Sequence, residues 1–417
     1  MKIQRTRVQG IAFFLSMVEI VGFAGIDALM RRHVALWQRC DGRHKPCLRR
    51  RYTPREQSCR EAKAETFVRA AEASLTAGVP DSETAVLRAF AAFAAAALDL
   101  DEAHLKLLTE GFPKLARALA EQARQFDPAL SATDIFQASR NVWTAAGLQV
   151  LLGLPLELTP ALFAYSMLYP YTDNLLDDPH ASAEAKSGFN KRLRARLQGE
   201  PLKPADHRES KVFALVEKIE SQYDRQRYSD VYRSLLAIQN AQEDSVGLRR
   251  EAELAPDQVV HGVFAKGGAS VLADGYLAAG LLTPEQAEFA FGWGVLLQLA
   301  DDLQDVREDL AAGTATLFNA SRAPLDAVTN RVFEFGEQVF AGLDTFRTPG
   351  VEPLKHLIRR SAAILLTTAA GAAQELHTRA YIQNLERHSP FRFGFVREHR
   401  QYFYGSGGLV SRCVAAL

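Results

Sequence analysis

Phe289–Asp309 reads FAFGWGVLLQLADDLQDVRED, and its two halves obey one period while differing in character. Apolar and aromatic residues fill the first nine positions. Gln298, Asp301/Asp302, Asp305 and Asp309 then fall at offsets 0, 3/4, 7 and 11, which is one helical stripe about three turns long. Like charges at i,i+4 repel, and a buried carboxylate without a partner costs several kcal/mol or protonates. An apolar helix that ends in such a stripe calls for a compensating cation.

A second acidic group lies upstream. In Leu168-Tyr-Pro-Tyr-Thr-Asp173-Asn-Leu-Leu-Asp177-Asp178-Pro179, Asp173 and Asp177 are i and i+4 on one helix face, with Asp178 alongside. The preceding ALFAYSMLYPY is apolar and aromatic, so the pair closes a core helix. Hard divalent cations suit such sites: Mg²⁺ takes oxygen ligands and typically combines one or two carboxylates with phosphate oxygens. Two acidic stripes facing one another across a bundle would hold a diphosphate through bridging metals. Lys266, in Val-Phe-Ala-Lys266-Gly-Gly-Ala-Ser, is a lone cation in an apolar stretch and is expected to meet phosphate oxygens, Gly267 and Gly268 giving a bulky anion room. Arg140, in Ala-Ser-Arg140-Asn-Val-Trp143, has a similar setting; a diphosphate contact and a structural salt bridge are both open.

Outward from these clusters, helical periodicity prevails. AETFVRAAEASLTAG, AHLKLLTEGFPKLARALAEQARQF and FALVEKIESQYDRQRYSDVYRSLLAIQNAQ repeat apolar residues near i, i+3, i+4, i+7, and no strand pattern competes. Thr283-Pro-Glu-Gln286 carries an N-cap, a first-turn proline and a capping-box glutamine; Ser131 and Ser182 open looser versions. The expectation is an all-α protein, one large helical bundle over residues 61–390.

Composition agrees. The 417 residues are 47% hydrophobic and 24% charged, which is globular, and 49 Lys+Arg balance 49 Asp+Glu, so no overall field advertises a nucleic-acid partner. The balance hides an asymmetry: residues 1–60 hold thirteen Lys/Arg against four acids, an excess of about nine that the remaining chain cancels. Ile11–Met30 is largely apolar but carries Glu19 and Asp27; a buried or interface-lying helix, translated upstream sequence, and a signal or anchor are its readings, spanning being disfavoured by the acids. Arg31–Arg60 looks too polar and irregular for a packed core, so residues 1–60 are expected to form a basic N-terminal extension, disordered or membrane-facing. Its Cys40, His44, Cys47 and Cys59 match no paired zinc-knuckle spacing. Four cysteines favour a reducing compartment. Residues 391–417 form an aromatic and basic tail that would close over the site or meet a membrane.

Together the two acidic motifs, in order and about 125 residues apart, resemble the class I isoprenoid synthases, the all-α superfamily of trans-prenyl diphosphate synthases and squalene/phytoene synthases. Asp173-Asn-Leu-Leu-Asp177 is similar to the D-x-x-x-D first motif of squalene-type enzymes. Gln298-Leu-Ala-Asp301-Asp302-Leu-Gln-Asp305 is similar to the Q-x-x-D-D-x-x-D motif of chain-elongating synthases, and Asp305-Val-Arg-Glu308-Asp309 with Gly313 and Leu317 to the second squalene/phytoene motif. The resemblance spans about Ser131 to Leu317 by motif. It implies catalysis through Asp173, Asp177, Asp301 and Asp305, and Mg²⁺, three ions with bound diphosphate, on those residues with Asp178, Asp302 and Asp309. Lys266, Arg140 and Gln298 would bind diphosphate. The implied activity is ionisation of an allylic prenyl diphosphate, with condensation or chain elongation to a longer isoprenoid.

Phe163, Tyr165, Tyr169, Phe264, Tyr276 and Trp293 are candidates for the dry, cation-stabilising wall such chemistry needs, although each singly suits ordinary core. If the enzyme elongates, Tyr169 and Tyr165 would limit the product tail. G-K-R-x-R-P, N/D-x-x-S/T-x-x-x-E and Y-x-x-x-V-A-G segments are absent, which marks a divergent branch. A class I terpene cyclase and a noncatalytic prenyl-lipid-binding or regulatory subunit remain the alternatives. A cytoplasmic location, peripheral membrane contact and a homodimer are compatible with this reading.

Overall fold

Thr283 folds as its sequence suggests. Its hydroxyl accepts from the Gln286 N–H while Gln286 Oε1 accepts from the Thr283 N–H, 2.9 Å away, and Pro284 opens the helix that bears the second acidic stripe. Ser131 and Asp134 form another such reciprocal cap, and Thr159 and Ser182 cap two more helices. The computed structural model describes residues 25–44, 46, 48–77, 91–95, 99–178, 180–248, 255–319, 324–404, 408 and 412, with the backbone alone for 74–77, 107, 177, 245–248 and 400–404. Sixteen α-helices and no strand occur among them, so the all-α class holds.

In chain order the helices are α1 (Gly25–Arg39), α2 (Pro54–Ala77), α3 (Glu102–Lys106), α4 (Phe112–Phe126), α5 (Ala132–Leu151), α6 (Pro160–Asp177), α7 (Ala183–Leu197) and α8 (His207–Gln222). There follow α9 (Ser229–Leu248), α10 (Pro256–Ala279), α11 (Pro284–Gln304), α12 (Val306–Ala312), α13 (Asp326–Ala341), α14 (Glu352–Ala372), α15 (Arg379–Glu386) and α16 (Phe393–Tyr404). Helix α10 is the axis. It is buried on every side from Val271 to Leu277, as a helix apolar all round must be, and it packs against α11, α9, α5, α1 and α6. Gly280, at φ 75°, ends it and lets α11 turn back antiparallel.

The N-terminal boundary expected at residue 60 is corrected. Helix α1 presents Leu29, His33 and Trp37, a single i, i+4, i+8 stripe, to the main core, and Trp37 stands edge-on to Phe264 and Phe335. The Arg331 guanidinium donates to the Trp37 carbonyl at 2.7 and 2.9 Å and lies over its ring. The chain then wraps α13, where the Asn330 amide donates to Gly42 O, and α2 runs across residue 60 without interruption. The stripe is faint in the sequence because one of its three members is a histidine and its flanks are arginines. The C-terminal boundary at 391 moves as well: Phe391 and Phe393 are buried, and α16 packs on α14. Residues 1–24, which hold most of the apolar N-terminal stretch, lie outside the described residues. No helix among the described residues is long and apolar enough to cross a membrane.

Candidate functional site

Helix α6 is buried continuously from Ala161 to Leu168 and surfaces only in its last turns, where the first acidic motif stands. Three neighbours brace that end. The Gln242 amide of α9 donates to Asp173 Oδ1 at 3.2 Å, the Asn174 amide donates to Asp134 Oδ1 of α5 at 2.9 Å, and Lys186 Nζ of α7 donates to the Leu176 carbonyl at 2.6 Å. Lys186 thus sets a positive charge against a helix C-terminus that is itself negative. Asp178 is the C-cap, and its carboxylate accepts from the His180 N–H at 2.8 Å, so one of its oxygens serves the turn. The side chain of Asp177 lies outside the described residues.

The second motif is only partly the continuous stripe expected. Helix α11 distorts at Asp305 (φ −103°, ψ 14°) before α12 begins, although the Asp305 N–H still donates to Asp301 O and the Asp309 N–H to Asp305 O, both at 2.9 Å. Asp302 points inward and is 7% exposed. The Gln298 amide donates to its Oδ1 at 2.7 Å, while its Oδ2 has no hydrogen-bond partner among the described residues. Burial pushes the Asp302 carboxyl up to about 7, with the charges of Asp301 and Asp309 adding to that and Gln298 and Lys266 opposing it. Asp301 faces outward and pairs with Arg140 Nη2 of α5 at 3.4 Å. Both partners are well exposed, so the pair is weak and open to exchange for a ligand.

Lys266 lies on α10 between these groups. It is half-buried and makes no ion pair or hydrogen bond among the described residues, yet stands near enough to Asp302 to lower its pKa. Helices α6 and α10 run antiparallel: Ser166 connects through Asn141 to Asp274, and Tyr169, about one turn further along α6, hydrogen-bonds Ser270, one turn back along α10. The same register carried one more turn sets Asp173 at the height of Lys266. Both acidic groups therefore share one end of the bundle with the unpaired lysine.

Gly267 and Gly268 do not leave space for an anion. A Cβ on Gly267 would lie 2.6 Å from Gln298 Cβ, and one on Gly268 2.4 Å from the Phe291 ring, so both serve the close approach of α10 to α11.

Below the acidic end, α6, α7 and α9 line a small pocket that opens to solvent. Leu168, Leu193, Leu197, Leu235 and Ile238 supply its apolar wall, and Gln242 stands both in its lining and on Asp173. Of the aromatic candidates, Tyr165 and Tyr169 line it. Phe163 and Phe264 are core, against Phe126 and against Trp37 and Phe335, and Trp293 packs near Gly147 and Phe289. Tyr276 is buried toward Asp230.

Beneath the tyrosines lies a polar nest that motif reading passed over. Tyr165 Oη donates to the Ser270 carbonyl at 3.1 Å, and the Asn141 amide donates to Ser166 Oγ at 3.1 Å and Asp274 Oδ1 at 2.9 Å. Asp274 is 1% exposed, its Oδ2 has no hydrogen-bond partner among the described residues, and burial holds its carboxyl well above the usual carboxylate range. Its signal in the sequence is a lone acid inside an apolar run, VLADGYLAAG.

No group of three or more His, Cys, Asp or Glu side chains placed to hold one ion occurs among the described residues. The donors nevertheless suit a hard cation. They are all carboxylate oxygens, one of them buried and unpartnered on Asp302, and Mg²⁺ needs only one or two carboxylates when phosphate and water complete its shell. Compared with known proteins, the chain matches no family model and no curated protein.

Proposed function

We propose that this chain is a Mg²⁺-dependent class I isoprenoid synthase that ionises an allylic prenyl diphosphate and joins the resulting unit to a second isoprenoid. The observation that carries the reading is the shared end of the bundle, where Asp173 on α6, Asp301 and Asp302 on α11 and Lys266 on α10 stand together and Gln242 joins Asp173 to a largely apolar pocket. Asp173, Asp177, Asp301, Asp302, Asp305 and Asp309 would hold Mg²⁺, which when bound supplies the positive charge that makes diphosphate a good leaving group. Lys266 Nζ, which makes no ion pair or hydrogen bond among the described residues, would donate to diphosphate oxygens. Arg140 exchanges its exposed contact with Asp301 for the same anion. The leucine wall receives the prenyl tail and excludes water, and the ring faces of Tyr165 and Tyr169 favour positive charge in the pocket.

Incubation with C10, C15 and C20 allylic diphosphates and Mg²⁺, with and without isopentenyl diphosphate, tests this directly. Metal-dependent diphosphate release with a longer product is expected. Absence of release from every substrate rejects the reading, and a cyclic product made without isopentenyl diphosphate replaces it with cyclisation. Asp173→Asn and Asp305→Asn should each abolish turnover while helicity by circular dichroism is retained.

A further inference from the structure

Part of the basic excess of the N-terminal sixty residues has a definite place in the fold. The Tyr52 N–H donates to Arg387 O at 2.7 Å, and the His388 ring hydrogen-bonds Arg50 O at 2.7 Å, so the Arg49–Arg51 segment lies along the end of α15. Gln57 of α2 donates to Glu386 O and Ser389 O, which brings the first turn of α2, where Arg55 stands, to the end of α15. Arg49, Arg51, Arg55 and Arg387 are all exposed, and none makes an ion pair among the described residues. Beside them Arg50, Arg60 and Arg360 are held by Asp99, with Glu56 also on Arg50. A chain of zero net charge has thus brought Arg387 beside Arg49, Arg51 and Arg55, more than three hundred residues earlier in sequence, and none of the four makes an ion pair among the described residues.

We propose that this surface docks the protein on an anionic phospholipid bilayer. Guanidinium groups bind lipid phosphates well, and each basic residue near such a surface adds attraction. Two observations favour a lipid surface over a nucleic acid. The rest of the chain carries a compensating acidic excess, which would repel a polyanion tracking across it but leaves a flat bilayer free to touch one patch. The patch also adjoins α16, whose Phe395 and Val396 are half-buried against Ala64 and Phe391, an aromatic and aliphatic edge suited to the bilayer interface.

Co-sedimentation of the full chain with vesicles of phosphatidylcholine alone, or with added phosphatidylglycerol, tests the assignment independently of any enzymatic activity. Binding to the anionic vesicles only, released by salt, is expected, with affinity falling about fivefold for each arginine replaced in Arg49→Gln/Arg51→Gln/Arg55→Gln/Arg387→Gln. The double variant Arg55→Gln/Arg387→Gln gives the same direction of change should the quadruple variant fold poorly. Equal binding to neutral vesicles, or no loss in the folded variants, overturns the proposal. So does displacement from the vesicles by single-stranded RNA or duplex DNA through these same arginines.

Discussion

Gly267 of α10 and Gly294 of α11 meet backbone to backbone: a Cβ on Gly294 would stand 2.1 Å from the Gly267 carbonyl oxygen, and one on Gly267 2.7 Å from the Gly294 oxygen. Neither obstacle is the end of a flexible side chain, so a methyl group must push the two central helices apart. Gly267→Ala and Gly294→Ala are each expected to cost about 3 kcal/mol, the upper end for overpacking, in denaturant unfolding. Near-native stability combined with weakened ligand binding would instead return Gly267 to the role of clearing space for an anion.

Lys266 carries the opposite signature. A half-buried ammonium that makes no ion pair or hydrogen bond among the described residues gains little from folding in the ligand-free protein, so Lys266→Met should leave the unfolding midpoint unchanged or raise it. If the proposed function holds, the same change removes a donor to the departing diphosphate and is expected to lower turnover about a hundredfold or more. A lysine kept for structure alone would show stability and activity falling together.

How far the sequence carries the reader differs from element to element. The helix class was legible because periodicity and caps such as Thr283/Gln286 are local. The acidic groups were visible as repelling charges in apolar helices, and the bundle brings Asp173 and Asp302 to one end. What lies opposite a residue was not legible. Gly267 and Gly268 look the same in sequence whether they admit an anion or a neighbouring helix, and only the position of Gln298 and Phe291 decides. Gln242 and Lys186 act on Asp173 and Leu176 across long gaps in the chain, which no spacing rule reaches. Asp274 could have been flagged as a lone acid among apolar neighbours, but it belongs to no motif.

Trp37 measures the correction at the N-terminus. Its ring is 3% exposed, wedged between Phe264 and Phe335 under the Arg331 guanidinium. Trp37→Ala should therefore destabilise by about 3–5 kcal/mol in chemical denaturation, as a large core truncation does. An appendage outside the bundle would tolerate the change within about 0.5 kcal/mol.

Asp274 predicts a pH dependence whose sign follows from burial. Its folded carboxyl is held well above the ordinary range, whereas in the unfolded chain it ionises near a pKa of about 3.9. Between those values the unfolded state releases a proton that the native state keeps, so this group makes stability fall as pH rises above about 4, until the folded carboxyl itself ionises. Asp274→Asn can still accept from Asn141 through its amide oxygen and has no proton to lose. Thermal unfolding followed from acid to mildly alkaline pH should show a flatter profile for the variant, with its midpoint above wild type at the alkaline end. A variant that is less stable by the same amount at every pH would mean that Asp274 is ionised in the native state or that its hydroxyl makes a bond the amide cannot replace.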